Sequence, residues 1–263
     1  MDGSRKYIIA NWKMNGTLED WVSWAQNACV VALSVDGVSV VLAVPSIAMP
    51  IVSETVKNAP TDNVFVAAQD VHSLANGAHT GCVSIPMVQY FGATYTLIAH
   101  SERRDEFSES PELISAKVSA SLSAGLKTVL CFGEQGAERG AGIHLQTVTK
   151  QLDEAVEALD SADTSLLGSL LLAYEPVWAI STSKGSLGRQ PEKDELIEIF
   201  DAIRLWSVNK FGEEIGAKIP LLYGGSVKSS TIKDALSVKE ITGVLVGGAS
   251  LNNEEFAKLI TNA

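Results

Sequence analysis

The sequence predicts a single α/β domain over residues 1–263, folded as a closed (β/α)8 barrel. Eight short apolar segments alternate with segments suited to helices, and no linker or change in composition interrupts them. Most of the apolar segments are continuous rather than alternating, which is typical of parallel strands covered on both faces. A chain of 263 residues also has the usual length of such a barrel.

The predicted strands follow one another at regular intervals. They are residues 7–10, 38–44, 64–68, 94–99, 128–132, 170–173, 220–223 and 243–246. The first helix begins after Thr17, where Asp20 completes a capping box. Another helix is predicted over 111–123, with Ser110 as its N-cap and Pro111 at its first position, and Gly125 follows it. Further helices are predicted near 47–57, from 135 to about 159, near 192–209, shortly after 227, and from about 253.

A doubly wound open sheet is the alternative to the barrel. Such a sheet usually carries its glycine-rich phosphate turn directly after the first strand. Here the first strand is followed by Asn11, Trp12 and Lys13 instead. The barrel is therefore favoured.

Composition limits the partners and the compartment. A net charge of −11 argues against nucleic acids and anionic membranes as partners. No apolar signal core or bilayer-length stretch occurs in the sequence. Cys29, Cys82 and Cys131 are odd in number and lack metal-binding spacing, so we expect free thiols in a reducing compartment, the cytoplasm, and no metal site.

The stretch from Ala173 to Trp178 places a carboxylate where a buried strand ends. Pro176 directly follows Glu175 and biases it away from the helical region. The polar segment 181–188 comes next, and a stiff hinge followed by a polar tip is typical of a lid over a catalytic base. The alternative for Glu175 is a strand-end carboxylate that only meets solvent.

Other polar residues follow other strands. Asn11 and Lys13 come after the first strand, and His100 and Glu102 after the fourth. Because the carboxyl ends of all barrel strands meet at one rim, these side chains and Glu175 are expected to face a common centre. The alternative, when each residue is considered alone, is that Lys13 is an ordinary surface lysine and that His100 has a structural role.

Two glycine pairs follow adjacent strands. Gly224 and Gly225 precede Ser226, and Gly247 and Gly248 precede a helix start. Glycine lets backbone N–H groups approach an anion, and loops seven and eight are the usual phosphate position in barrels. Two tight turns are the alternative reading. A base, an imidazole and a cation around a phosphate are the parts needed for proton abstraction beside a carbonyl.

Six motifs at these strand ends resemble the triosephosphate isomerase family, and the resemblance covers essentially the whole chain. They are Asn11-Trp12-Lys13-Met14-Asn15, Ala99-His100-Ser101-Glu102-Arg103-Arg104, Cys131-Phe132-Gly133-Glu134, Ala173-Tyr174-Glu175-Pro176-Val177-Trp178-Ala179-Ile180, Tyr223-Gly224-Gly225-Ser226-Val227 and Gly247-Gly248-Ala249-Ser250. The resemblance implies a TIM barrel that interconverts dihydroxyacetone phosphate and glyceraldehyde 3-phosphate without cofactor or metal.

The resemblance also implies roles for the residues. Glu175 would move the proton between carbons, neutral His100 would polarise the carbonyl, and Lys13 would supply positive charge. Asn11 would hydrogen-bond nearby, and Glu102 would hold Lys13. The phosphate would bind to backbone N–H groups of Ser181, Ser226, Gly247 and Gly248.

The chain departs from the family pattern in three places. The lid reads Ile180-Ser181-Thr182-Ser183-Lys184 where the family has Ile-Gly-Thr-Gly-Lys, and extra residues follow before Pro191. We expect activity to survive these changes. The loop from Gln69 to Cys82, which in the family inserts into a partner subunit, has His79 and Cys82 in place of an aromatic and a carboxylate. We still expect a homodimer through this loop. Ala99 replaces the usual glycine before His100.

Two other functions are consistent with parts of this pattern. A barrel could bind sugar phosphates without turning them over, which the altered lid would suit. Another phosphate-binding barrel, such as an aldolase or a synthase, would need a Schiff-base lysine or a larger acceptor pocket.

Overall fold

The computed structural model describes residues 5–159, 164–180 and 189–263. Its eight strands all run parallel and pair in chain order, with β8 closing against β1. The strands β1 to β8 are Lys6–Asn11, Val38–Val44, Val64–Ala68, Tyr95–Ile98, Lys127–Phe132, Leu170–Tyr174, Leu221–Tyr223 and Ile241–Val246. The predicted closed barrel is confirmed, and the open sheet is excluded.

Helices follow the strands around the outside of the barrel. The α-helices, α1 to α11, are Leu18–Ala32, Met49–Lys57, Ile85–Tyr90, Ser101–Phe107, Pro111–Ser123, Gly136–Gly140, His144–Ala155, Lys193–Phe211, Glu213–Gly216, Ile232–Leu236 and Asn253–Thr261. Within the ranges that the structure describes, 3-10 helices lie at Thr164–Ser169, Val177–Ala179 and Gly248–Leu251.

Local signals in the sequence locate several elements closely. The bounds of β2, β3 and α5 agree with those predicted. The Thr17 side chain accepts from the backbone of Asp20, and the Asp20 carboxylate accepts from the backbone of Thr17, so the capping box before α1 is confirmed. Gly125 follows α5 with φ of +80°, a conformation that glycine adopts readily.

Other predictions were wrong or incomplete. The single long helix predicted between β5 and β6 is two helices, α6 and α7. The break contains Gly142 at φ +71°, and a left-handed residue cannot continue a right-handed helix. The sequence reading missed α3 and α4. The α4 segment, Ser101–Phe107, is polar except at its last residue, so it has no apolar periodicity to predict a helix.

Apolar side chains fill two layers. One lies inside the barrel and includes Ile9, Leu97, Leu171 and Leu222. The larger layer lies between the outer face of the strands and the helices. Because both faces of the strands are covered, polar chemistry is confined to the strand ends. Within the described ranges, none of the helices is both long and apolar enough to cross a membrane.

Candidate active site

A cavity of about 350 Å³ opens at the carboxyl ends of the strands. It brings together side chains and loops that follow β1, β4, β6, β7 and β8. The predicted residues that line it are Asn11, Lys13, His100, Glu175, Ser226, Gly247 and Gly248. Glu102 contacts this group through Lys13. Ser181 and the rest of the lid segment 181–188 lie outside the described residues.

The turn after β1 directs Lys13 into the cavity. Lys13 has φ of +50°, and its backbone N–H donates to Asn11 Oδ1 at 3.0 Å. That hydrogen bond stabilises a conformation that a residue with a side chain seldom adopts. The Lys13 ammonium donates to Glu102 Oε1 at 2.6 Å, so the charge is held by a residue from the far side of the barrel. A Cβ atom at Gly247 would lie 3.5 Å from Lys13 Cε, which places the glycine pair after β8 beside the lysine.

His100 lies directly before α4 and caps its first turn. Its Nδ1 accepts a hydrogen bond from the Glu102 backbone N–H at 3.3 Å. An imidazole nitrogen that accepts carries no proton, so in the neutral ring the proton is on Nε2. Nε2 lies 3.1 Å from Glu175 Oε1. The helix that the sequence reading missed therefore determines which nitrogen faces the cavity.

Glu175 is almost completely buried, with 2% of its side chain exposed. Its Oε2 accepts from the Ser101 backbone N–H at 3.0 Å, while Oε1 faces His100. Its own N–H donates to the Phe132 carbonyl at 2.7 Å. Both carboxylate oxygens thus have partners, which is what a buried charge requires.

Two glycines make room for Glu175. A Cβ atom at Gly133 would overlap the Glu175 carbonyl oxygen, and one at Gly224 would lie 2.7 Å from Glu175 Cγ. Both distances are shorter than carbon atoms tolerate, so side chains are excluded at these positions. The sequence analysis predicted a phosphate-binding role for Gly224, and in the structure this residue lies against the Glu175 side chain.

A buried carboxylate, that of Glu134, contacts the residues on either side of Glu175, where the sequence analysis predicted a stiff hinge. Glu134 Oε1 accepts from Tyr174 Oη at 3.0 Å and from Trp178 Nε1 at 2.8 Å. The pKa of the Tyr174 hydroxyl lies well above its usual value, mainly because the group is buried and secondly because it faces the Glu134 charge. Tyr174 therefore stays a neutral donor. The two aromatic rings on either side of Glu175 are therefore fixed to the same acceptor.

Cys131 is a further residue at the site that the sequence analysis left without a role. It is fully buried on β5, and burial together with the adjacent Glu175 carboxylate raises its pKa well above the usual thiol value. The thiol therefore remains protonated and inert as a nucleophile. Its only sequence signal was membership of the motif Cys131-Phe132-Gly133-Glu134.

The loop from Gln69 to Cys82 begins next to the cavity, because Gln69 Nε2 donates to the Lys13 carbonyl at 2.9 Å. No residue of the loop lines the cavity itself. The tip of the loop is exposed, including Cys82 and His79. The His79 ring packs against that of His72 at a tilt of 31°, with 4.1 Å between the ring centroids. At the base of the loop, Asp70 pairs with Lys117 and Arg103.

Comparison with known proteins agrees with this geometry. The family model described as triosephosphate isomerase matches residues 6–263. This chain belongs to the triosephosphate isomerase family. Among curated triosephosphate isomerases, that of Cytophaga hutchinsonii is 38% identical over 255 residues, covering 96% of each chain. That of Dinoroseobacter shibae is 38% identical over 256 residues, covering 97% of this chain and 98% of the relative.

Solved structures of the family lead to the same conclusion. The crystal structure of triosephosphate isomerase from Bartonella henselae superposes with a TM-score of 0.84, at 31% identity and with 98% of each chain covered. Among the residues that the structure describes, no group of three or more His, Cys, Asp or Glu side chains is arranged to hold a metal ion.

Proposed function

We propose that this chain interconverts dihydroxyacetone phosphate and D-glyceraldehyde 3-phosphate through an enediolate, using its own side chains to move protons. Membership of the triosephosphate isomerase family makes the chain an aldose–ketose isomerase acting on a small triose phosphate. The observation that carries the assignment of residues is the single cavity shared by Lys13, His100 and Glu175. Its volume of about 350 Å³ suits a three-carbon phosphate.

Glu175 is the proposed base. Its Oε2 is held by the Ser101 N–H, whereas Oε1 lies 3.1 Å from Nε2 of the imidazole that lines the cavity. When a substrate carbonyl takes the His100 Nε2–H, Oε1 loses that contact and becomes available to a carbon-bound proton. Abstraction and return of the proton at neighbouring carbons by one carboxylate then completes the isomerisation.

His100 and Lys13 stabilise the charge that develops on oxygen. The Nε2–H of a neutral imidazole donates to the carbonyl oxygen and can exchange protons between the two enediolate oxygens. The Lys13 ammonium adds positive charge from the same side, and Asn11 and Glu102 hold it in place. Preorganised donors of this kind lower the barrier because they need no reorientation during the reaction.

The phosphate end is assigned to backbone N–H groups of Ser226, Gly247 and Gly248, with Ser181 added from the lid. The absence of side chains at the two glycines allows an anion to approach the main chain closely. Local donors are needed because the chain carries a net charge of −11. Closure of the lid would exclude water, which otherwise promotes loss of phosphate from the enediolate.

A coupled assay tests this function. Purified chain supplied with glyceraldehyde 3-phosphate and a chelator, with no cofactor except that of the coupling enzyme, should produce dihydroxyacetone phosphate. In a separate incubation in D2O, deuterium should enter the product at carbon. A sugar-phosphate-binding barrel would bind the substrate without product, and either that result or a borohydride-trapped lysine adduct would overturn the assignment. Turnover with no deuterium in the product, even after repeated reversal of the reaction, would contradict the enediolate route.

We also propose that the chain acts as a single catalytic domain in the cytoplasm and as a homodimer through the loop from Gln69 to Cys82. The exposed tip of that loop and the prevalence of twofold symmetric dimers support the assembly. Sedimentation at low micromolar concentration should show a dimer. Cys82→Ser should be included, because an exposed thiol can cross-link chains, and it should sediment as the wild type does. A monomer in both samples would contradict the proposal.

A further inference from the structure

Arg104 lies behind the catalytic cavity and contacts the main chain on two strands. Its Nε donates to the Ala99 carbonyl at 3.0 Å, and its Nη2 donates to the Cys131 carbonyl at 3.1 Å. The side chain is partly buried and lines a second cavity on the far side of Glu175. Arg104 therefore touches neither the space for substrate nor the reacting atoms.

The two carbonyls lie just beyond the end of the β4–β5 pairing. The last paired residues of these strands are Ile98 and Leu130, and Ala99 and Cys131 come next on each strand. Beyond that point the guanidinium takes the place of a further pair of main-chain hydrogen bonds. Its planar fork can donate to two acceptors at once in a fixed geometry.

This bridge connects the two halves of the proposed catalytic pair. His100 directly follows Ala99. Glu175 is attached to the β5 side, since its N–H donates to Phe132 and the β5–β6 pairing continues to Phe132 and Tyr174. The position of His100 relative to Glu175 thus depends on how the end of β4 is held against β5.

Ala99 makes the bridge more important in this chain. Its φ is +61°, a left-handed conformation that costs a residue with a Cβ roughly 1–2 kcal/mol. Without a partner for its carbonyl, Ala99 would relax towards an extended conformation and turn His100 away. Glycine at this position would carry no such cost.

We propose that Arg104 is a positioning residue, which holds Ala99 in its left-handed conformation and thereby keeps the His100 imidazole in contact distance of Glu175. This inference rests on the proposed function, in which His100 and Glu175 act on the substrate together. Misplacement of a catalytic group by about 1 Å can cost about 10²-fold in rate. We therefore expect Arg104→Met to lower kcat by at least about tenfold, with KM almost unchanged.

The matched control is Arg204→Met. Arg204 also donates to two backbone carbonyls, those of Gly216 and Ile219, at 2.6 and 2.9 Å, but these precede β7, at the amino ends of the strands. Arg204→Met should lower the melting temperature and leave kcat unchanged. A loss of kcat equal to that of Arg104→Met would show that the effect is only structural.

The decisive measurement is the double variant Ala99→Gly/Arg104→Met. Ala99→Gly alone should keep the wild-type kcat, and in the Arg104→Met background it should restore kcat by about threefold or more, as coupled neighbours do. Arg104→Lys, which keeps the positive charge but lacks the planar fork, replaces Arg104→Met if that variant does not fold. Wild-type kcat in the Arg104 variants, or no recovery in the double variant, would overturn the inference. An inactive wild type would instead refute the proposed function.

Discussion

Replacing Glu175 with glutamine should lower kcat for glyceraldehyde 3-phosphate by about 10³-fold, within the range seen on removal of a general base. An amide cannot take the proton from carbon, although it can still accept the Ser101 N–H bond that holds Oε2 at 3.0 Å. The fold should therefore persist while the chemistry is lost. Glu175→Asp keeps the carboxylate but shortens the side chain by one methylene. We expect this displacement to lower kcat by about 10²-fold.

Steady-state kinetics with matched thermal melts would check this prediction. Glu240→Gln is a suitable control, because Glu240 is also a carboxylate held by a hydrogen bond, accepting from Arg204 Nε at 2.7 Å with 17% of its side chain exposed. It immediately precedes β8, so it lies at the opposite end of the barrel from the cavity. Glu240→Gln should keep kcat within about twofold of wild type, as substitutions away from a site do. A Glu175→Gln enzyme within tenfold of wild type would exclude Glu175 as the base.

Replacing Lys117 with methionine should produce the largest loss of stability, about 3–5 kcal/mol, which is typical for removal of one partner from a buried ion pair. The Lys117 ammonium lies 2.6 Å from Glu109 Oε1 and 2.7 Å from Asp70 Oδ1, and only 4% of the lysine side chain is exposed. Without it, two carboxylates would share Arg103 as their remaining cation.

The pKa shifts of the two carboxylates agree with this dependence. Burial alone would raise the pKa of Glu109, but hydrogen bonds and charges from Lys117 and Arg103 outweigh it and hold the pKa below its usual value. For Asp70 the burial effect is larger than the same attraction, so its pKa is raised. Without the Lys117 ammonium, Glu109 and Asp70 would lose the interaction that most favours their ionised forms.

Urea denaturation at a fixed protein concentration would measure the change. Lys258→Met provides the control, because Lys258 also contacts a glutamate, Glu254, at 2.6 Å, but both side chains are largely exposed. An exposed pair contributes about 0–1 kcal/mol. If Lys117→Met and Lys258→Met lowered the urea midpoint of unfolding equally, burial of the ion pairs around Lys117 would contribute nothing to stability.

Local rules in the sequence were sufficient for most of the barrel. Continuous apolar runs marked β2 and β3 to the residue, and Thr17 with Asp20 marked the start of α1, because these signals depend only on neighbours in the chain. They failed where such signals were weak. The segment of α4 is short and polar, and the break between α6 and α7 depends on the backbone conformation at Gly142.

The sequence by itself determined which strand ends carry Lys13, His100, Glu175 and the glycine pairs, since parallel closure of eight strands brings all carboxyl ends to one rim. It could not determine contacts between segments far apart in the chain. Only the tertiary structure decided that α4 orients His100, that Gly133 and Gly224 leave space for Glu175, and that Arg104 joins β4 to β5. Those contacts depend on distances of a few ångströms between separate strands, which neither propensity nor spacing records.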